Sequence, residues 1–381
     1  MTETVDRRDT GEHFRLLPRD QYLNPAIFER EYDRVFSRQW LFVGHRSQLD
    51  APGTYLVEEI LGESVVVTVT DARELRAFLN VCRHRGHRIC EQPSGRVKRF
   101  VCPYHRWTYS LNGELTGATA IQDGDGIDYA ELSLFPVHVT EFEGFLYICL
   151  GDERPPELGD ELRAVVPGIE RFRLATMREA HRETYELRVN WKVLLENYLE
   201  CHHCPGSHPE LTAAMDLPAM FATTAGWVGE YFGGSMPLMP GKSTASLDGE
   251  LLSRPLGIAD PSDPADVAGS GFGIVPTLSR VIVHVDHAVV HTLRPVSVDE
   301  VIWHTRWYVD GAAIEGVDYE VDRLTSVWRA TNQQDIGLCE SAYRGVRSRR
   351  FVSGPLHGTR EAAIRSALAT YTDMMEDGHT S

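Results

Sequence analysis

Cys82-Arg83-His84 and, seventeen residues further on, Cys102-Pro103-Tyr104-His105 each present one thiol and one imidazole from a short loop. A chain that brings these loops side by side offers two Cys and two His to one inorganic centre, so its front part must fold to make them meet. Two chemistries accept that donor set. A 2Fe-2S cluster can carry two Cys on one iron and two His on the other, and four-coordinate zinc also takes two of each. Zinc frameworks more often pair Cys with Cys and His with His, whereas this chain mixes them within each loop. The mixing favours the iron-sulfur cluster, with structural zinc as the alternative. Imidazoles in place of thiolates raise a cluster's reduction potential, which suits an electron relay.

The surroundings of these loops read as β. Tyr55–Ile60, Ser64–Val69, Leu75–Val81 and Gly144–Leu150 are short β-rich runs separated by Gly, Pro and Asp. Ahead of them, Asn24 to Gln39 has helical spacing, with Phe28, Tyr32, Val35 and Phe36 on one face. Gly151-Asp-Glu-Arg-Pro-Pro-Glu157 is a polar boundary. The division expected is a helical segment over 1–39 packing on the catalytic domain, a cluster domain over 40–155 and a catalytic domain over 156–381. In the last, Val281–His291 and Val301–Val309 alternate like strands of one sheet, Asn190–His203 and Pro355–Met375 read as helices, and Pro240–Ser270 reads as a long mobile loop.

At 381 residues the chain is long enough for two domains. No stretch approaches the run of about eighteen apolar residues expected of a membrane span, and Met1–Arg8 lacks the apolar segment of a signal peptide, which points to the cytoplasm. A net charge of -17 argues against nucleic acid or an anionic membrane as partner and is compatible with a cationic small molecule. Seven cysteines, two of them taken by the cluster, do not suggest a disulfide framework. Cys90, Cys149 and Cys339 read as ordinary buried thiols.

A second constellation lies between Asn190 and His208. Leu194, Leu195, Tyr198 and Leu199 make an apolar stripe, while Glu196, Glu200 and His203 fall on another face at i, i+4 and i+7. Pro205-Gly206 is expected to break the helix and let His208 swing back toward His203. Two imidazoles converging beside a carboxylate suggest part of a 2-His-1-carboxylate site for non-haem Fe(II). A lone His on a helix is usually a surface or packed residue, which is the reading for His202.

Asn80-Val81-Cys82-Arg83-His84-Arg85-Gly86-His87 and Cys102-Pro103-Tyr104-His105-Arg106-Trp107 closely resemble the two cluster loops of Rieske oxygenases. Asn190-Trp191-Lys192, Glu196-Asn197-x-x-Glu200, His203 and His208 resemble the iron-binding helix of their α subunits. The resemblance covers nearly the whole chain. It implies an α+β molecule: an all-β Rieske iron-sulfur domain, plus a catalytic domain whose antiparallel sheet is covered by helices in the helix-grip, START-like manner. It implies Cys82, His84, Cys102 and His105 as cluster ligands, and His203, His208 and a downstream Asp as iron ligands. The context Asn332-Gln333-Gln334-Asp335 points to Asp335, with Asp322 and Glu340 as competitors. Glu200 is implied as a bridge between His203 and His105 of a neighbouring subunit, and Asn197 joins it as a catalytic candidate. Such a bridge implies a homo-oligomer, a trimer or hexamer.

The implied function is the oxygenase component of a multicomponent system, using O2 and externally supplied electrons to hydroxylate or N-dealkylate a small molecule. No G-x-G-x-x-G nucleotide fingerprint lies between a strand and a helix. NAD(P)H therefore acts only through a separate reductase, with or without a ferredoxin. Glu200, the Glu-Cys-His-His-Cys run and Pro237-Leu-Met-Pro resemble the carnitine, glycine-betaine and stachydrine oxygenases, which implies a quaternary ammonium substrate. Such a head group needs aromatic walls, for which Trp227, Tyr231, Phe232, Trp303, Trp307 and Tyr308 are candidates, against the usual burial of aromatics in a core. The alternatives are a ring-hydroxylating dioxygenase or natural-product tailoring oxygenase on an aromatic or alicyclic substrate, and, without enzyme activity, a Rieske-type electron carrier.

Overall fold

The computed structural model describes residues 14–119, 128–222, 226–274 and 279–376. The first thirteen residues of the expected 1–39 segment lie outside them. The front unit contains β1 (Leu41–His45), β2 (Thr54–Ile60), β3 (Glu63–Val69), β4 (Leu75–Leu79), β5 (Ser94–Arg96), β6 (Phe100–Val101), β7 (Thr108–Tyr109), β8 (Leu115–Gly117), β9 (Pro136–Phe142) and β10 (Phe145–Cys149). Seven of these form a sheet in the order β1-β10-β9-β4-β3-β2-β5, and β6-β7-β8 form a separate small sheet.

The second unit is built on an antiparallel sheet of β11 (Met177–Leu187), β12 (Gly226–Val228), β13 (Tyr231–Ser235), β14 (Ser270–Ile274), β15 (Ser279–Val283), β16 (Ala288–Ser297) and β17 (Glu300–Asp310), ordered β11-β17-β16-β15-β14-β13-β12. Successive side chains point to opposite faces of a strand, and here each face has its own core. Val281, Val283, Val290 and Tyr308 pack against Phe42, Phe142, Phe145 and Tyr147 of the front sheet. Ile282, Val289, Trp307 and Val309 pack against Leu324, Val327 and Trp328. The latter three sit on a 26-residue helix, so the sheet lies between that helix and the front unit. Each large side chain buried this way contributes roughly 1.5–3 kcal/mol.

The helices are α1 (Arg19–Leu23), α2 (Pro25–Arg34), α3 (Leu158–Val165), α4 (Trp191–Tyr198), α5 (Cys204–Ser207), α6 (Pro209–Ala214), α7 (Leu217–Ala222), α8 (Pro264–Val267), the long α9 (Val321–Val346) and α10 (Ala362–Glu376). Asn24 caps α2 by accepting from the amide of Ala26 at 3.0 Å. Tyr22, Val35 and Phe36 of the N-terminal segment pack with residues of α4, α9 and α10.

Several expectations need correction. The helix from Asn190 stops at Tyr198, so Glu200 and His203 lie beyond its end rather than on its face. Pro205 begins a helix instead of breaking one: it sits in the first turn of α5, where its missing N–H has no partner to lose. Val281–His291 is a hairpin, not one strand, because the chain turns at His284–His287. That turn has no glycine; the Asp286 carboxylate accepts from Thr244 Oγ1 at 2.6 Å and from His287 Nδ1 at 2.7 Å instead. The Pro240–Ser270 stretch is tied down, with Leu252 N donating to Asp286, Arg323 donating to the Leu251 carbonyl at 2.6 Å, and Thr244 and Leu256 buried.

Candidate metal centres and active-site cavity

The two cluster loops are built alike. Cys82 N donates to the His87 carbonyl at 2.9 Å, and Gly86 N returns to the Cys82 carbonyl at 2.9 Å. Cys102 N donates to the Trp107 carbonyl at 2.8 Å, and Arg106 N to the Cys102 carbonyl at 3.1 Å. Each turn is closed on its cysteine, and Gly86 takes a positive φ of 73° that suits glycine. Both cysteines are buried, whereas His84 is exposed and His105 half-buried. The two imidazoles lie with ring centroids 4.6 Å apart, and His84 stacks on Trp107. Tyr109 Oη is 3.3 Å from Cys82 Sγ. His105 Nδ1 is buried without a hydrogen-bond partner among the described residues, as a ring nitrogen held for a metal must be. Burial pushes the Cys102 thiol up, against backbone N–H groups of Tyr104 and His105 that favour the thiolate.

At the other site, His203 and His208 lie on either side of α5 and their Nε2 atoms are 3.0 Å apart. Asp335 of α9 places Oδ1 3.3 Å from the first and 3.1 Å from the second. His203 Nδ1 donates to Glu200 Oε1 at 2.6 Å and His208 Nδ1 to Gln334 Oε1 at 2.8 Å, which leaves a neutral ring's lone pair on Nε2 in both. Three electron-rich atoms therefore face one another. Metal bonds of about 2.1 Å meeting at right angles put neighbouring donors about 3 Å apart, so the triangle fits a facial 2-His-1-carboxylate site. The surroundings favour positive charge here, which without a metal is a proton on the imidazoles. Burial opposes charge on His203, yet Asp335 and Glu200 raise it to about 9. His208 moves up against its own burial, and Asp335 moves down because the imidazoles outweigh its desolvation.

Asp322 and Glu340 are not at this site. Asp322 is solvent-exposed beside Arg329, and Glu340 accepts from Arg188 N. Cys204 Sγ lies 3.9 Å from His203 Nε2 but is joined to Cys201 in a disulfide. That bond is a local link between residues three apart rather than a framework, and the two cysteines had no assigned role in the sequence reading. Cys90, Cys149 and Cys339 are free and buried. Asn197 Nδ2 is 3.3 Å from His203 Nε2, and the second oxygen of Glu200 accepts from His202 N.

A cavity of about 340 Å³ opens onto this triangle. Trp227 and Phe232 line it, their rings 5.5 Å apart and tilted by 30°. Tyr231, Trp303, Trp307 and Tyr308 do not: all four are core residues, because their positions alternate onto the packed faces of the sheet. The sequence reading missed Tyr198, Trp328, Met215 and Arg280 as lining residues. It also missed Gln334, adjacent to Asp335, whose Nε2 is fixed by Glu210 at 2.8 Å. Beneath α4, Glu31 accepts from Trp191 Nε1 at 2.7 Å, Tyr371 Oη at 2.7 Å and Lys192 Nζ.

Comparison with known proteins agrees with this architecture. Residues 39–136 match the Rieske [2Fe-2S] domain, and residues 174–377 match the ring hydroxylating alpha subunit (catalytic domain). The glycine betaine monooxygenase oxygenase subunit of Pseudomonas aeruginosa (strain UCBPP-PA14) is 33% identical over 408 residues, covering 98% of this chain and 92% of that protein. The carnitine monooxygenase oxygenase subunit of Escherichia coli (strain K12) is 33% identical over 223 residues, covering 56% of this chain and 58% of that one. The quaternary ammonium Rieske monooxygenase CntA, solved with L-carnitine, superposes with a TM-score of 0.76 at 23% identity over 96% of this chain and 97% of that chain, a likeness of fold. An all-β Rieske unit joined to an iron-dependent catalytic unit defines a Rieske non-haem iron oxygenase. The chain belongs to the ring-hydroxylating α-subunit family, the oxygenase components that carry a Rieske cluster and mononuclear iron and draw electrons from a separate reductase. No helix among the described residues is long and apolar enough to cross a membrane.

Proposed function

We propose that this oxygenase hydroxylates a C–H bond next to the nitrogen of a quaternary ammonium compound, so that the carbinolamine collapses and the C–N bond breaks. The observation that carries the reading is the placing of the His203–His208–Asp335 triangle in a cavity with the paired, mutually tilted Trp227 and Phe232 rings in its wall. Relatives named for glycine betaine and carnitine oxygenation support it. The balance is one O2, two electrons and two protons, giving the hydroxylated carbon and water; the hydroxylated ammonium then loses its hydroxyl proton as the C–N bond breaks, releasing an aldehyde and the dealkylated amine.

In this reading Cys82, His84, Cys102 and His105 hold the 2Fe-2S cluster, while His203, His208 and Asp335 hold Fe(II). When bound, the iron supplies open positions where O2 and substrate meet. Glu200 and Gln334 fix the two imidazoles so that both Nε2 lone pairs face inward. Trp227 and Phe232 receive the cationic head on their ring faces, and Leu211, Met215 and Met236 keep water out.

Exposed His84 and half-buried His105 put the cluster edge at the surface, where it can serve another chain's iron through that chain's Glu200. We assign on this basis a homotrimer or hexamer, and residues 40–155 and 156–381 as its two domains. The cytoplasm, where a nicotinamide-dependent reductase works, is the assigned compartment. The test is aldehyde release by the reconstituted holoprotein with a surrogate reductase, over quaternary amines and aromatic acids. Turnover of the amines supports the reading, and turnover of the aromatic compounds alone refutes it.

A further inference from the structure

The geometry points to Arg280 as the anchor for a substrate carboxylate, which makes the substrate a zwitterionic ammonium carboxylate rather than a quaternary amino alcohol; this rests on the quaternary ammonium reading above. Arg280 and Ile282 share one face of β15, and Ile282 packs toward Trp328 and Val327 of α9. The same alternation turns Arg280 into the cavity, which it lines together with Tyr198, Met236 and Asp335.

Its nearest contacts there are neutral. The guanidinium lies 5.0 Å from the Tyr198 ring centroid, Nη2 is 3.6 Å from the Met236 sulfur, and Nε is buried with no hydrogen-bond partner. Among the described residues no carboxylate lies within ion-pair distance of it. The two carboxylates that line the cavity are engaged elsewhere, Asp335 with both imidazoles and Glu200 with His203. Arg306, Arg171 and Arg329 of the second unit do find carboxylates, Glu58 and Glu179, Asp266 and Glu183 respectively, and Arg294, which has none, donates to the Phe42 carbonyl instead and does not line the cavity.

A permanently charged fork facing a cavity against a thioether and an aromatic ring is a costly way to fill space, since a neutral residue of similar length would pack there without desolvation. It is well suited to receive two carboxylate oxygens in parallel hydrogen bonds. With the aromatic pair Trp227 and Phe232 in the same wall, the cavity has a place for each end of a zwitterion. The iron triangle then selects which C–H bond near the ammonium reacts.

The test uses the metal-loaded protein and two ligand pairs, trimethylammonium carboxylates and arylcarboxylates, each compared with its primary amide by calorimetric titration. A carboxylate held by Arg280 binds at least about tenfold more tightly than its amide, and Arg280→Gln brings the two within about twofold. Arg280→Lys, which keeps charge but loses the fork, gives an intermediate preference, and unchanged iron and cluster absorbance in both variants excludes misfolding. Arg360→Gln, at an exposed arginine on the same cavity, keeps the preference. A preference absent from both series, surviving in Arg280→Gln, or lost instead in Arg360→Gln overturns the assignment. If only the aryl pair shows it, Arg280 stands and the quaternary ammonium reading falls.

Discussion

Glu200 Oε1 accepts from His203 Nδ1 at 2.6 Å, while the other oxygen of the same carboxylate takes the amide of His202. One side chain, 13% exposed, thus orients the imidazole proposed to bind iron, and in the proposed assembly it bridges to a neighbouring chain's imidazole. Glu200→Gln retains an acceptor oxygen for His203 but lacks the negative charge that, in the proposed bridge, couples the two rings. Both metal contents are expected to stay at wild-type levels while turnover falls by at least about 10–100-fold. Stopped-flow spectra should show a reduced cluster that fails to reoxidise in the presence of substrate and O2. Full activity removes the bridging role.

Asp335→Ala deletes the oxygen that closes the triangle with the two Nε2 atoms. Mononuclear iron is expected to be lost with the cluster absorbance unchanged, and activity with it. Iron and acid-labile sulfide measured on the same sample check this. Unchanged iron moves the third ligand elsewhere.

Glu31→Gln leaves the Lys192 ammonium buried without its carboxylate. Breaking a buried pair from one side costs about 3–5 kcal/mol, so thermal unfolding should shift down by several degrees. Glutamine keeps only one of the two acceptor oxygens, so either Trp191 or Tyr371 faces an amide N–H in place of its acceptor, which loosens the start of α4. An unchanged unfolding temperature shows the network to be neutral.

Acid stability follows from histidines that burial holds neutral, His45, His284 and His291 among them. Burial holds His45 down to about 4 and His284 and His291 down to about 3. The folded chain keeps them neutral while the unfolded chain protonates them below about 6.5, so the unfolded state binds more protons and stability falls as pH drops from 6.5 toward 4. Each contributes up to about 1.4 kcal/mol per pH unit in that window. Glu196 works the other way: burial, offset by Tyr22 and Lys192, raises it to about 8, so its contribution is lost as pH rises from about 4.5 to 8. His304 is likewise held down to about 3 by burial and nearby arginines, and Glu230 is raised by burial as Glu196 is, so four imidazoles against two carboxyls make the net slope positive. Denaturant midpoints between pH 4 and 6.5 check the sign, and a midpoint that rises on acidification contradicts it.

The side chains that the structure gathers into the facing loops were legible in the sequence because metal chemistry restricts residue type and spacing, as in the Cys82/His84 and Cys102/His105 pairs. Asp335 was legible only through its resemblance, since a single Asp on a long helix carries no periodic mark. The end of α4 at Tyr198 escaped because apolar periodicity continues to Leu199 while the chain already turns. The hairpin at His284–His287 escaped because Asp286 performs in three dimensions what a turn glycine signals locally. Aromatic content named six possible cavity residues, and only Trp227 and Phe232 line it; sidedness within the sheet excludes Tyr231 and Tyr308, whereas Trp303 and Trp307 share the face of Phe232 but are packed into the core there. Arg280 and Gln334 have no sequence signature, because their importance lies in what does and does not stand beside them.

Metal and acid-labile sulfide content of anaerobically prepared protein tests the central claim most directly. A Rieske cluster with separate ferrous iron gives about three irons and two sulfides per chain. Zinc in place of iron, with no labile sulfide, contradicts it.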